Sequence, residues 1–124
     1  MEKGKKFDLE DRTFQFARRV RTLSKTVPAT LSNREDVRQL VKASGSVGAN
    51  YIEANNALGK KDFLLRIKIC LKEAKESGYW LRLIDTCSST QLDAERQRLI
   101  EESTQLVNIL GTILRNSQQR ISDV

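Results

Sequence analysis

Histidine is absent from this 124-residue chain, and proline occurs once. Without an imidazole, acid–base catalysis at neutral pH would need a carboxylate, lysine or cysteine with a displaced pKa. The di-iron arrangement of helical bundles is excluded too, because it requires Glu-x-x-His pairs. Cysteine is limited to Cys70 and Cys87, too few and too far apart for a disulfide framework, and a zinc site would have to add carboxylates. Cys70 falls on an apolar helix face and reads as a small buried hydrophobe, while Cys87, at a helix end, reads as a free thiol. No metal and no cofactor is expected. Gly59-Lys60-Lys61 lacks the glycine spacing of a phosphate loop, and Gly45-x-x-Gly48 lies inside a helix. No apolar run approaches the ~20 residues that span a bilayer. Charge at Asp8 and Glu10 interrupts the opening segment where a signal peptide would be apolar. A cytoplasmic chain without membrane contact is expected, and not an enzyme.

What the chain does contain is charge arranged at helical period. The formal net charge is +6, and it is uneven: residues 1–90 hold 18 Lys and Arg against 11 Asp and Glu, residues 91–124 hold 4 against 5. The basic surface therefore belongs to the first three helices, which permits an anionic partner.

The length suits a single domain spanning 1–124. Helices are expected at about 9–26, 33–55, 61–86 and 91–116, with frayed termini at 1–7 and 117–124. In the first, Asp8 is the cap, and Phe14, Ala17, Val20, Leu23 and Val27 recur in steps of three or four before Pro28 ends it. Ser32 and Glu35 read as a capping box for the second. Its apolar face is Val37, Leu40, Val41, Ser44, Val47, Gly48, Tyr51 and Ile52, with small residues that admit a close neighbour. Asn55 to Gly59 is the central turn. Thr90 and Asp93 read as a box opening the fourth helix, which turns Leu99, Leu106, Ile109, Leu110, Ile113 and Leu114 inward. No segment alternates at strand period. Short connections make neighbours antiparallel, so an all-α, up-down-up-down four-helix bundle is predicted.

The third helix is apolar on more than one side. Leu64, Ile67, Leu71, Ala74, Gly78 and Leu81, widened by Phe63 and Cys70, form a stripe for the intrachain core. Leu65, Ile69, Trp80 and Leu83 form a second, with Glu76 among them. Such a stripe suits a subunit interface; the alternative is that it lies under the first or fourth helix. A further face carries Lys61, Lys68, Lys72, Lys75 and Arg82. The first helix adds Arg18, Arg21 and Lys25, with Arg12 and Arg19 elsewhere on its surface. Repeated in an oligomer, such rows form a multivalent phosphate-contacting surface; the plainer reading is a solvated face partly neutralised by Glu73 and Glu76. No base-reading motif is present. Asn50 and Glu53 read as a polar cluster with Arg66 or Glu73 that sets helix register.

The wording of the middle of the chain is distinctive. Ser46-x-x-x-Asn50-x-x-Glu53, then Lys72-Glu73-Ala74-Lys75-Glu76-Ser77 and Tyr79-Trp80-Leu81-Arg82-Leu83, resembles the bacterial four-helix-bundle family first noticed as proteins encoded in intervening sequences of 23S rRNA genes. Ala54 stands where that family commonly has glycine. The resemblance covers roughly residues 8–115 and implies a ring-like homo-oligomer, typically a pentamer. Related bundles look like accessory proteins of diversity-generating retroelements, which implies RNA, DNA, a reverse transcriptase or another encoded neighbour as possible partners. The function expected is that of a non-enzymatic oligomeric bundle binding RNA or other nucleic acid, or a protein that handles it, through basic helix faces. The alternative is a structural or protein-interaction module, or a regulatory subunit, with no nucleic-acid binding.

Overall fold

The computed structural model describes residues 8–122, with side chains to Gln119; the expected frayed segment 1–7 lies outside them. Four helices account for the regular structure there: α1 (Leu9–Thr26), α2 (Leu31–Asn55), α3 (Lys60–Leu83) and α4 (Thr90–Ser122). Asp8 caps α1 by accepting from the N–H groups of Glu10 and Asp11, and those acids also suit the positive end of the helix. The helix stops where Val27 turns extended ahead of Pro28.

The other helix ends differ from the sequence expectation. Thr30, not Ser32, caps α2: its hydroxyl accepts from Asn33 N–H at 3.1 Å, so the Ser32–Glu35 box does not form and both residues stay exposed. Moving the start two residues earlier frees the Asn33 side chain to enter the core. Ser89, not Thr90, caps α4, with its hydroxyl accepting from Leu92 N–H at 3.2 Å. Helix α3 ends at Leu83 rather than 86, because Ile84 swings extended and buries its side chain. Arg96 occupies the freed end, donating to the carbonyls of Arg82 (3.1 Å) and Ile84 (3.0 Å) and to Asp93 Oδ1 (2.7 Å). Helix α4 continues to Ser122, past the expected end at 116.

The helices pack around one core that includes Phe16, Val20, Leu23, Leu40, Val47, Ile67, Leu81, Leu99, Leu106 and Leu110. On α1 the buried line is Leu9, Thr13, Phe16, Val20 and Leu23, so Phe16 replaces the expected Phe14, which is exposed. The steps of three and four pass through Thr13, whose hydroxyl donates to the Leu9 carbonyl at 2.7 Å and so can be buried. Ile52 of α2 is exposed as well. On α3 the buried line is Ile67, Cys70, Ala74, Ser77 and Leu81. Cys70 packs there as a small hydrophobe against the Val47 carbonyl (3.4 Å), and burial pushes its thiol up to about 12.

Two polar devices tie the elements together. Buried Asn33 donates to the carbonyls of Pro28 (2.9 Å) and Asp85 (2.8 Å) and accepts from Asp85 N–H (2.9 Å), joining two connections 52 residues apart. Arg12 of α1 grips Glu102 of α4 through Nε (2.7 Å) and Nη2 (3.0 Å) and also reaches Gln105. The Glu102 hydrogen bond raises the Arg12 pKa against the effect of burial. Helices α1 and α3 each pack on α2 and α4, which places them at opposite corners of the bundle. That diagonal decides which charged rows can act together.

Candidate nucleic-acid interface

Helix α3 carries the densest exposed basic row. Lys61, Lys68, Lys75 and Arg82 recur every seven residues, so a rise of ~1.5 Å per residue spaces them about 10.5 Å apart over about 31 Å. All four, and Lys72 beside them, are exposed. Among the described residues none of the five is in an ion pair; the paired cations are Arg12, Arg19, Arg66, Arg96 and Arg98. No salt bridge therefore holds any of the five, while Glu73 and Glu76 stand beside Lys72 and dilute the field from within the chain.

A groove of about 230 Å³ runs beside the row between α3 and α4, with Lys75 and Arg82 on one wall and Ser103 and Thr104 on the other. Its floor is close-packed: a Cβ on Gly78 would lie 2.9 Å from Ser103 Oγ. A second depression of about 350 Å³ on the outer face of α3 holds Lys68, Lys72, Lys75 and Glu76 around Leu71. Glu73 lies at the edge of this charge. Partial burial, reinforced by Glu76, raises its pKa, while Lys72 and Lys42 work in the other direction.

The row on α1 is separate. Arg18, Arg21 and Lys25 are exposed, with the Arg18 guanidinium 5.9 Å from the centre of the Phe14 ring. Arg21 donates to the Ala17 carbonyl at 3.2 Å. Because α1 and α3 stand at opposite corners, the fold does not bring the two rows onto one surface of a single chain. Arg12 and Arg19, assigned by sequence to the free surface, are instead tied to Glu102 and Glu95 of α4.

The polar cluster forms in part. Arg66 Nη1 donates to Asn50 Oδ1 at 3.1 Å, and Asn50 Nδ2 donates to the Ser46 carbonyl at 2.9 Å. Asp62 lies 3.9 Å from Arg66 Nε. Glu53 is exposed and Glu73 half-buried, and neither hydrogen-bonds to Asn50 or Arg66 among the described residues. The link therefore joins α2 to α3 through Asn50 and Arg66 alone. On the second apolar stripe, Leu65 and Leu83 are exposed and Ile69 is half-buried, while Trp80 packs against the intrachain core. Trp80 also meets Tyr79 edge-on, with ring centres 5.0 Å apart.

Sequence reasoning missed Asn33 and Arg96. The only signal for either was position, an amide just after a proline-containing turn and an arginine nearly two turns into a helix. No group of three or more His, Cys, Asp or Glu among the described residues could hold a metal ion, and no described helix is long and apolar enough to cross a membrane.

Comparison with known proteins follows the same geometry. Residues 5–112 match the family described as 23S rRNA-intervening sequence protein. A crystal structure of a protein of unknown function from the S23 ribosomal protein family of Bacteroides thetaiotaomicron is similar in fold. It shows a TM-score of 0.69 and 29% identity, covering 85% of this chain and 96% of that one. No curated protein matches.

Proposed function

The chain belongs to the family of 23S rRNA-intervening sequence proteins, and from that premise we propose that it is a non-enzymatic, self-assembling bundle that binds RNA through α3. The observation that carries the reading is the exposed row Lys61, Lys68, Lys72, Lys75 and Arg82, regular over about 31 Å and without ion pairs among the described residues. A regular line of cations beside a shallow groove suits the phosphate backbone of a nucleic acid rather than its base edges. Up-down-up-down order supports this placement. The pairs Glu10–Asn55, Asn50–Arg66 and Asn33–Asp85 join early residues of one helix to late residues of its neighbour, or just past its end, at two of the four helix interfaces. Self-assembly is supported by Leu65 and Leu83, apolar side chains left in water by the single chain.

Fluorescence anisotropy with a structured RNA across a salt series tests the reading. Five phosphate contacts per chain give a slope of log K against log salt near −4 to −5. Replacing Lys68, Lys72 and Lys75 by Glu should flatten that slope to about −2 or less and weaken binding at low salt at least tenfold. Unchanged affinity in the triple variant, or no binding even at low salt, refutes the α3 surface and favours a protein-interaction module.

A further inference from the structure

We propose that the RNA on the α3 row is single-stranded where it crosses the C-terminal half of the helix, with an unpaired base stacked on the ring of Tyr79. The proposal rests on the α3 reading above and names the form of nucleic acid this surface takes. Among the described residues the exposed aromatic side chains are Phe14 and Tyr79, and Tyr79 is 49% exposed. At about 100° per residue Tyr79 lies in line with Lys61 and about 20° from Lys68 and Lys72. Lys75 is about 40° and Arg82 about 60° to one side. At ~1.5 Å per residue, Tyr79 is about 6 Å from Lys75 along the axis and about 4.5 Å from Arg82. The ring therefore stands within the row of cations. Glu76 lies about 60° to the other side, which keeps phosphates on the flank of Lys75 and Arg82.

The ring is anchored and yet open. Tyr79 meets Trp80 at 78°, with ring centres 5.0 Å apart, and Trp80 packs against the intrachain core. An edge-on contact covers at most one face of the Tyr79 ring, and leaves the other to a planar group. Cations on neighbouring turns can hold successive phosphates while the ring takes the base between them. Aromatic platforms set along a basic surface are how single strands are bound without sequence readout.

A duplex does not suit this arrangement. Its base faces are covered by stacking, and side chains cannot enter the deep groove of A-form RNA. Tyr79 would then only hold the backbone away from Lys75 and Arg82. Phe14 does not repeat the arrangement. It stands on α1, at the opposite corner from α3, and with Ile52 walls a groove of about 330 Å³. There a Cβ on Gly48 would lie 3.0 Å from Thr13 Oγ1. Phe14 is also covered by the Arg18 guanidinium, and so serves as the control.

Anisotropy with two RNAs of equal length tests the proposal: an unstructured uridine-rich strand carrying 2-aminopurine at several positions, and a fully paired duplex. Tyr79→Ala should weaken binding of the strand about fivefold to 150-fold. The duplex should change by less than about twofold, and the salt slope should hold, because the cations remain. Binding of the strand should quench 2-aminopurine. Tyr79→Phe and Phe14→Ala should keep affinity and quenching, whereas Tyr79→Leu, which keeps the bulk without an aromatic face, should lose the quenching. Both positions are exposed, and circular dichroism confirms that each variant folds. Sedimentation velocity should give every variant the mass of the unaltered chain. Equal losses for strand and duplex, unchanged affinity in Tyr79→Ala, or quenching that survives Tyr79→Leu would overturn the stacking inference alone. So would a changed mass in Tyr79→Ala, since the ring would then belong to a contact between copies. No binding of either RNA at low salt would overturn the α3 reading itself.

Discussion

Replacing Asn33 by alanine should destabilise the fold far more than any other asparagine substitution on α2. Asn33 is 1% exposed and makes three hydrogen bonds of 2.8–2.9 Å, two donated and one accepted. Truncation leaves the N–H and C=O of Asp85 without these partners, whereas the Pro28 carbonyl keeps Thr30 N–H at 3.0 Å. At about 1 kcal/mol net per lost bond the cost is about 3 kcal/mol. An unfolding entropy of about 2.1 cal/mol/K per residue converts that into a fall of about 11 °C in Tm for a chain this size. Asn50→Ala is the control: it loses one bond to the Ser46 carbonyl and one from Arg66, both only part-buried, so about 1 kcal/mol and about 4 °C are expected. Thermal unfolding followed by circular dichroism at several concentrations separates fold stability from assembly. Equal falls for the two variants would refute the reasoning, because water would then be replacing Asn33 at no cost.

Gly78→Ala should destabilise by about 1–2 kcal/mol, since the new Cβ meets buried Ser103 Oγ at 2.9 Å and outweighs the helix propensity gained. In a Ser103→Ala background the same change should turn stabilising by roughly 0.5–1 kcal/mol; urea unfolding that shows the same sign in both backgrounds would be inconsistent with a close α3–α4 contact. Stability should also fall in alkali. The native Cys70 thiol holds its proton up to about 12, against 9.0 unperturbed. The unfolded chain therefore releases that proton first, and stability is lost as pH rises from about 9 to about 12, on the order of 4 kcal/mol at the top of the window. Tyr51, raised chiefly by burial, adds to the same loss. Comparing stability against pH for Cys70→Ala with the unaltered chain isolates the thiol, and identical slopes would show that it does not contribute.

Much of the architecture was legible because helical periodicity is a local property. Four stretches with apolar residues at steps of three and four, punctuated by Pro28 and by Asn55 to Gly59, are enough to specify four helices and most of the core. The errors in the buried lines of α1 and α3 share one cause, the treatment of polar residues as outward-facing. Thr13 is buried because its hydroxyl satisfies its own helix, which rotates α1 so that Phe16 enters and Phe14 leaves. Ser77 holds a core position by donating to the Glu73 carbonyl at 2.9 Å, and shifts the buried line of α3 away from Leu64 and Leu71.

For the candidate sites, sequence alone determined which side chains share a helix face, since about 100° per residue needs no neighbour. The basic row and the second apolar stripe of α3 follow from that arithmetic. Only the tertiary structure decided which faces meet. It set α1 and α3 at opposite corners, drew Trp80 towards the core, and spent Arg12 and Arg19 on contacts with α4 while leaving the α3 row unpaired. It also carved the groove beside Phe14 and Ile52, which exists because two helices approach closely at Gly48. Such features depend on contacts between residues tens of positions apart, and periodicity within one helix carries no information about its neighbour.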